Sequence, residues 1–242
     1  MTRLVVTGAS SGIGQAVAEM ALEAGWQVGL VARRAELLEA MAAGRETATA
    51  LAADVSDLVQ VERAFAAFTE RAGGVDVLFN NAGIFTPQGR IDEIDPADWT
   101  ASVAVNLTGM FNCARVAFAT MRRQSPRGGR IINNGSISAQ VPREGSVCYT
   151  ATKHGVTGLT RSLALDGRGL DIAAGQIDIG NAETPLVLEL QDRLASEGRP
   201  TLPTMAVADA ARAVMQMAQL PLSTNVLFQT IMATEMPFVG RG

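Results

Sequence analysis

Short apolar runs alternate with longer stretches of helical periodicity along almost the whole of this 242-residue chain. Leu4–Thr7, Gln27–Ala32, Thr49–Ala53, Val75–Phe79, Arg130–Asn133, Asp171–Ile177 and Asn225–Thr230 are short, largely aliphatic segments of strand length. Most are too continuously apolar to leave a face in water, as strands are when a sheet is covered on both sides. Gly14–Ala24, Ala35–Ala43, Asp57–Arg71, Ala97–Gln124 and Tyr149–Asp166 lie between them and read as helices. Asp95-Pro96 before Ala97 gives that helix a capping acid and a first-turn proline. Strands alternating with helices require crossover connections and hence a parallel sheet. The stretch Gly180–Met205 breaks the rhythm with Pro185, Pro200 and Pro203. It reads as a loop with a short helix, Leu186–Ala195, long enough to be a lid over a site.

Composition narrows the function classes. Hydrophobic residues make up 48% and aromatics only 5%, so Ala, Val, Leu, Ile and Met must build the core. The net charge is −4, and Lys and Arg do not cluster as a nucleic-acid partner demands. The densest basic stretch, Arg122–Arg127, reads as cations at a helix C-terminus plus a solvated turn. Cys113, Cys148 and the single His have no metal-ligand spacing, and two cysteines make no disulfide framework. No apolar run has transmembrane length. Met1-Thr2-Arg3 runs straight into Leu4-Val5-Val6, which leaves no room for a signal or transit peptide. The expectation is a cytoplasmic protein without a metal, membrane or nucleic-acid partner.

The loop after the first strand carries chemistry. Thr7-Gly8-Ala9-Ser10-Ser11-Gly12-Ile13-Gly14 joins strand to helix. Glycines let the backbone turn tightly and approach a pyrophosphate, and the helix N-terminus offers unpaired N–H groups and a positive dipole end. The α/β pattern with this loop predicts a single doubly wound Rossmann-type domain over residues 1–242, with a sheet of about seven strands and helices on both faces. The residue that reads the adenosine ribose belongs near the end of the second strand, where an acid selects NAD. This chain has Arg33-Arg34 there, and a guanidinium fork suits a 2′-phosphate. NADP(H) is therefore the favoured cofactor, with NAD(H) the alternative. Glu36, the nearest acid, falls in the first turn of the next helix, where acids favour the dipole.

Tyr149 and Lys153 lie four residues apart, one turn of the expected helix, so phenol and ammonium share a face. A phenol ordinarily ionises near pH 10 and is a poor proton donor or acceptor at neutrality. A cation beside it favours the phenolate, which would bring Tyr149 into acid–base range. Ser136 precedes the tyrosine by 13 residues and Ser138 by 11.

With these motifs in this order, the chain resembles the short-chain dehydrogenase/reductase family over nearly its whole length. Thr7–Gly14 is similar to the family's glycine motif, Asp54-Val55 to its adenine-contacting pair, and Asn80-Asn81-Ala82-Gly83 to the motif ending its fourth strand. Asn106, Ser136, Tyr149 and Lys153 fall where the family carries its catalytic tetrad. The resemblance implies that Tyr149 exchanges a proton with the substrate oxygen and Ser136 hydrogen-bonds it. It implies that Lys153 lowers the tyrosine pKa and binds the nicotinamide ribose, while Asn106 holds a water in a relay to Lys153. Gly8, Ser10, Ser11, Gly12, Ile13 and Gly14, with Asn81, Ala82 and Gly83, would line the cofactor cleft. Ser136 is preferred to Ser138 because Ile131–Ser136 matches the family's strand-and-serine segment without a gap; Ser138 would lie near substrate.

The segment Ile177–Thr184 departs from the family's pattern. Gly180 and Thr184 match, with Thr184 a contact for the nicotinamide amide, but Ile179 stands where a proline is usual. Asp178 and Asn181 are expected at the cleft mouth, either capping the lid helix or facing substrate. Ser146 and Cys148 either touch substrate or fill space, and His154 points off the Tyr/Lys face. The reading is an NADP(H)-dependent carbonyl–alcohol oxidoreductase acting on a small molecule. The alternatives are an NAD-dependent alcohol dehydrogenase of the same family or a non-catalytic dinucleotide-binding regulator. The two long helices are apolar on more than one face, which with the resemblance implies a homodimer or homotetramer. The tail Met232–Gly242 is expected to pack on a neighbouring subunit.

Overall fold

A computed structural model describes residues 1–196 and 198–239. Seven parallel strands form one sheet in the order β3-β2-β1-β4-β5-β6-β7. They are β1 (Arg3–Thr7), β2 (Gln27–Ala32), β3 (Ala48–Ala52), β4 (Val77–Asn80), β5 (Gly129–Asn134), β6 (Ile172–Ile179) and β7 (Phe228–Ile231). The helices are α1 (Gly12–Glu23), α2 (Ala35–Ala42), α3 (Leu58–Ala72), α4 (Pro96–Val103), α5 (Met110–Arg123), α6 (Val147–Gly167), α7 (Pro185–Ser196) and α8 (Val207–Gln219).

Successive strand residues point to opposite faces, and each face has its own apolar layer. Leu4, Val6, Phe79 and Ile132 meet Val17, Ala21, Leu38, Ala211 and Val214 of α1, α2 and α8. Val5, Leu78 and Ile131 meet Val61, Phe65, Phe68, Ala117 and Met121 of α3 and α5. The sheet reverses direction of growth between β1 and β4. There the crossovers leave to opposite faces, and the strands' C-terminal ends open a crevice.

Cap chemistry follows the sequence. Asp57 accepts from the Val59 and Gln60 amides at the start of α3, and Asp95 from Ala97 at the start of α4. Three of the departures from expectation have a visible cause. Asp171 has φ +57°, so β6 begins only at Ile172 and extends to Ile179. Asn225 spends its side chain on the Ala174 carbonyl and Arg130, and β7 starts at Phe228. The expected helix Ala97–Gln124 is two helices joined by a π-helical turn, Ala104–Gly109. An extra residue per turn resets the phase between α4 and α5. Asn106 can then face inward while Cys113, Ala117 and Met121 still meet the sheet.

Arg130 is fully buried on β5. Its Nη2 donates to the carbonyls of Leu220, Pro221 and Thr224, and its Nη1 to Asn225 Oδ1. One guanidinium thereby holds the α8–β7 connection against the sheet. Burial pulls its pKa down, but no nearby acid is needed because carbonyl dipoles face it. Arg130→Ala should lower unfolding free energy by about 3 kcal/mol, since it leaves a cavity and unpaired carbonyls. Urea unfolding midpoints with an unchanged m-value would measure this.

Candidate active site

The crevice is a cleft of about 470 Å³ along the C-terminal ends of the central strands. Gly8, Ser10, Ser11, Gly12 and Ile13 line its floor, with Arg33, Arg34, Asp54 and Val55 toward β2 and β3. Asn81, Ala82, Gly83, Tyr149, Lys153, Gly180 and Thr184 line the rest. Of the residues assigned in sequence to the cofactor or the catalytic tetrad, Gly14, Asn106 and Ser136 are not part of that lining. Gly12 has φ +57°, and a Cβ at Gly14 would overlap the Gly8 carbonyl oxygen. Ser11 caps α1 without a side-chain bond, so the first-turn amides remain open.

The two arginines behave differently. Arg34 donates to the Ser10 and Ser11 hydroxyls at 2.8 and 3.1 Å. Arg33 is exposed and has no ion-pair or hydrogen-bond partner among the described residues.

At the other end, Thr7 Oγ1 accepts the Asn81 and Ala82 amides at 2.8 and 3.0 Å. Asn134 Nδ2 donates to Asn81 Oδ1 at 2.8 Å, and Lys153 Nζ donates to the Asn134 carbonyl at 2.7 Å. Lys153 Nζ lies 5.5 Å from the Tyr149 ring centroid. The Phe85 ring stacks on Tyr149 with centroids 4.5 Å apart. Nothing in the sequence marked Phe85. The structure brings Ser136, rather than Ser138, to the phenol. Ser138 is buried, and its amide donates to Ser136 Oγ. Asn106 is pinned by two reciprocal bonds to the Ile84 main chain, 2.7 and 2.9 Å long. His154 is exposed, bonded through Nδ1 to its own helix at the Thr150 carbonyl.

Asp178 and Asn181 do neither of the two things expected of them. Asp178 is buried on the last turn of the β6 pleat and turns inward. Its Oδ1 accepts the Ser136 amide (2.9 Å) and Gln176 Nε2 (2.7 Å), and its Oδ2 accepts Gln140 Nε2 (2.7 Å). Gly135 must lack a side chain because a Cβ there would overlap Asp178 Oδ1. Asp178 thus fixes the backbone on which Ser136 sits. Asn181 donates to the Pro203 carbonyl and, with the Ala182–Met205 bridge, ties together the two ends of the segment that carries α7.

The electrostatics also differ from expectation. Burial raises the Tyr149 pKa above its ordinary value, with Asp178 adding to the rise; the Ser136 hydroxyl and the Arg143 charge oppose it. Lys153 gives its ammonium to the Asn134 carbonyl, and the phenol beside it stays raised. Burial in turn lowers Lys153 to about 8, against the pull of Asp178.

A Rossmann-type cleft with a glycine turn, flanked by a tyrosine and a lysine one helical turn apart, is the framework of a nicotinamide dinucleotide oxidoreductase. The short chain dehydrogenase family model matches residues 2–195, and the chain belongs to that family. It is 30% identical to a serine 3-dehydrogenase of Agrobacterium fabrum, over 98% of this chain and 96% of that one. Among solved structures, 3-ketoacyl-(acyl-carrier-protein) reductase from Brucella melitensis complexed with NADH superposes with a TM-score of 0.86 at 26% identity, covering 96% and 97% of the chains. A serine dehydrogenase in closed form with NADP+ has a TM-score of 0.88 at 23% identity, covering 100% and 98%.

The buried Lys153 ties stability to pH with a definite sign. Its folded pKa of about 8 lies below the unfolded value of 10.5. Between those pH values the unfolded chain holds more protons, so stability rises with pH there. Lys153→Met should therefore raise the melting temperature by about 5 °C at pH 7: relief of roughly 3 kcal/mol of charge burial, less about 1 kcal/mol for the lost Asn134 bond. The gain should vanish by pH 10.5. Paired melting curves at the two pH values would check it.

Proposed function

We propose that this chain is an NADP(H)-dependent oxidoreductase that interconverts a ketone or aldehyde with its alcohol by hydride transfer. The observation that carries this reading is the convergence of Tyr149, Ser136 and Lys153 at one end of a cleft whose other end presents Arg33 and Arg34. The cleft suits a dinucleotide. The open α1 amides and the glycine turn offer a pyrophosphate seat. Asn134 lines the cleft with a buried Oδ1 that has no protein partner. When bound, the cofactor supplies the hydride, and the protein supplies position and protons.

In this reading Ser136 and Tyr149 donate hydrogen bonds to the substrate oxygen as it gains negative charge. Tyr149 then gives up its proton. The raised phenol pKa keeps Tyr149 protonated at neutral pH, which is the form reduction requires. Lys153, with its Nζ 5.5 Å from the Tyr149 ring centroid, is a cation below about pH 8 and binds the nicotinamide ribose. Asn106 holds the Ile84 segment beside the site and serves the proton relay to Lys153. Asp54, Val55, Asn81, Ala82, Gly83, Gly180 and Thr184 complete the cofactor wall, and residues 180–205 form a lid over a single domain. Exposed Phe111 and Leu165, on α5 and α6, support assembly into a homodimer or homotetramer. For the tail, Met236 lies against Gly180 of its own chain, and residues 240–242 fall outside the described residues.

Tyr149→Phe keeps the Phe85 stack but removes the proton. Turnover should fall by three or more orders of magnitude while NADPH still binds, as fluorescence titration would show. Survival of carbonyl reduction in this variant would sink the mechanism. Exchange of Arg33 and Arg34 for Ala together should raise the KM for NADPH about 10- to 100-fold and that for NADH far less. Equal rises would favour the NAD(H) alternative.

A further inference from the structure

Phe85 takes no part in proton transfer, yet it stacks on the Tyr149 ring with centroids 4.5 Å apart and planes inclined by 24°. The stack covers one face of Phe85. The side chain is still 45% exposed, and it lines the cleft. Leu186, in the first turn of α7, lines the same cleft and is 43% exposed. Two large apolar side chains from separate elements thus leave apolar surface in water at one cleft. Such surface, with a few aimed polar groups, is what a site for an apolar small molecule presents.

The wall beside Phe85 offers little to a polar substituent. Ile84 presents its side chain to the cleft, but its main chain is spent on Asn106, which accepts its amide at 2.7 Å and donates to its carbonyl at 2.9 Å. Among the described residues, the charged side chains on the cleft lining stand elsewhere or are engaged. Arg33, Arg34 and Asp54 lie toward β2 and β3. Lys153 donates to the Asn134 carbonyl. The remaining one, Glu189 of α7, is an acid and repels an anion. A carboxylate carried by the substrate beside Phe85 would lose water and gain no counter-ion there.

We propose that Phe85 is a specificity-determining residue that selects carbonyl compounds bearing an uncharged apolar group. The carbonyl oxygen lies against Tyr149 and Ser136, and the apolar group covers the free surface of Phe85. The stack makes this geometry short-range, because the ring that meets the substituent lies directly on the ring that carries the reacting phenol. The substrate class is an apolar ketone or aldehyde. It takes the hydride from the nicotinamide cofactor and the proton from Tyr149, and leaves as the matching alcohol. This rests on the carbonyl–alcohol reading above.

The test compares butanone, benzylacetone and levulinate. They share one methyl ketone and carry a hydrogen, a phenyl ring or a carboxylate at the same carbon. Initial rates of NADPH or NADH oxidation are measured for the wild type, Phe85→Leu and Phe85→Ala. The wild type should favour benzylacetone over each of the others at least about tenfold in kcat/KM, the range that burial of a phenyl ring supplies. Phe85→Ala should shrink the benzylacetone-to-butanone ratio about tenfold, and Phe85→Leu should retain part of it. The ratio cancels any loss transmitted through the Tyr149 ring, since butanone reports that loss by itself. A smaller wild-type preference, levulinate as the best substrate, or an unchanged ratio in Phe85→Ala overturns the proposal. Where no ketone turns over, calorimetric titration of the alcohol of benzylacetone into protein saturated with the oxidised cofactor separates the two readings. If Phe85→Ala then weakens binding at least about tenfold, the apolar site stands and the carbonyl reading falls. Equal or undetectable binding in both proteins overturns the apolar site.

Discussion

Polar side chains at the C-terminal ends of the central strands bond to one another across the sheet, and the cleft's functional groups are fixed through them. Asn80 donates to Asn133, Asn133 to Thr160, and Thr160 to Gln176. Gln176 donates to Asp178, which also receives the amide of Ser136. In a second line Asn81 donates to Thr7, Asn134 to Asn81, and Lys153 to Asn134. Strand register makes the first line possible, because Asn80 pairs with Asn133. In a buried setting such bonds strengthen one another, and an unmade one is costly. Ser136 and Lys153 therefore hang from a network that begins in the apolar sheet, not from loops free to wander.

This network explains why apparently unrelated positions belong to one site. Asp178 does not itself line the cleft, yet it sets the backbone of Ser136 and bears on the proton affinity of both Tyr149 and Lys153. Gly135 is small for the sake of Asp178. Thr160 and Gln176 connect the middle of α6 to the middle of β6. The orientation of the Tyr149 helix and the position of the Ser136 turn are thus a single packing decision. A change at any of these buried positions would act on the site through geometry.

What was legible in the sequence is what local pattern encodes. Covered parallel strands must be apolar runs, so Leu4–Thr7 and Gln27–Ala32 announced themselves. The glycine turn did so too, because its backbone needs leave no other residue. The π turn did not. A single inserted residue at Ala104–Gly109 changes the phase without changing the composition, and Ala97–Gln124 still reads as one helix. Asp178 was misread for a related reason. An acid at the end of an apolar strand looks like a cleft-mouth residue until its partners are known, and these are as far away as Ser136, 42 residues earlier. Arg130 read as a plain strand residue, although it gathers carbonyls some 90 residues on. Phe85 carries no periodic or motif signal, since its stacking on Tyr149 arises only when two distant loops meet. Long-range polar and aromatic contacts have no local signature.

The balance of charges around Tyr149 is where sequence and structure part most instructively. A lysine one turn away suggests a phenol pulled toward ionisation. The lysine is itself buried, and its ammonium leans on a backbone carbonyl. Two groups that both lose hydration cannot each be charged cheaply. Burial pushes the phenol up and the ammonium down, and the protonated tyrosine is the form left at neutrality. In the proposed reaction that form is a proton donor waiting for an oxygen to turn basic. Charge developing on the substrate oxygen would supply the drive that Lys153 alone does not. The reverse direction would have to ionise the phenol first, which burial opposes. Burial around Tyr149 therefore sets the phenol's resting form, and the proposed reduction starts from that form without a prior ionisation.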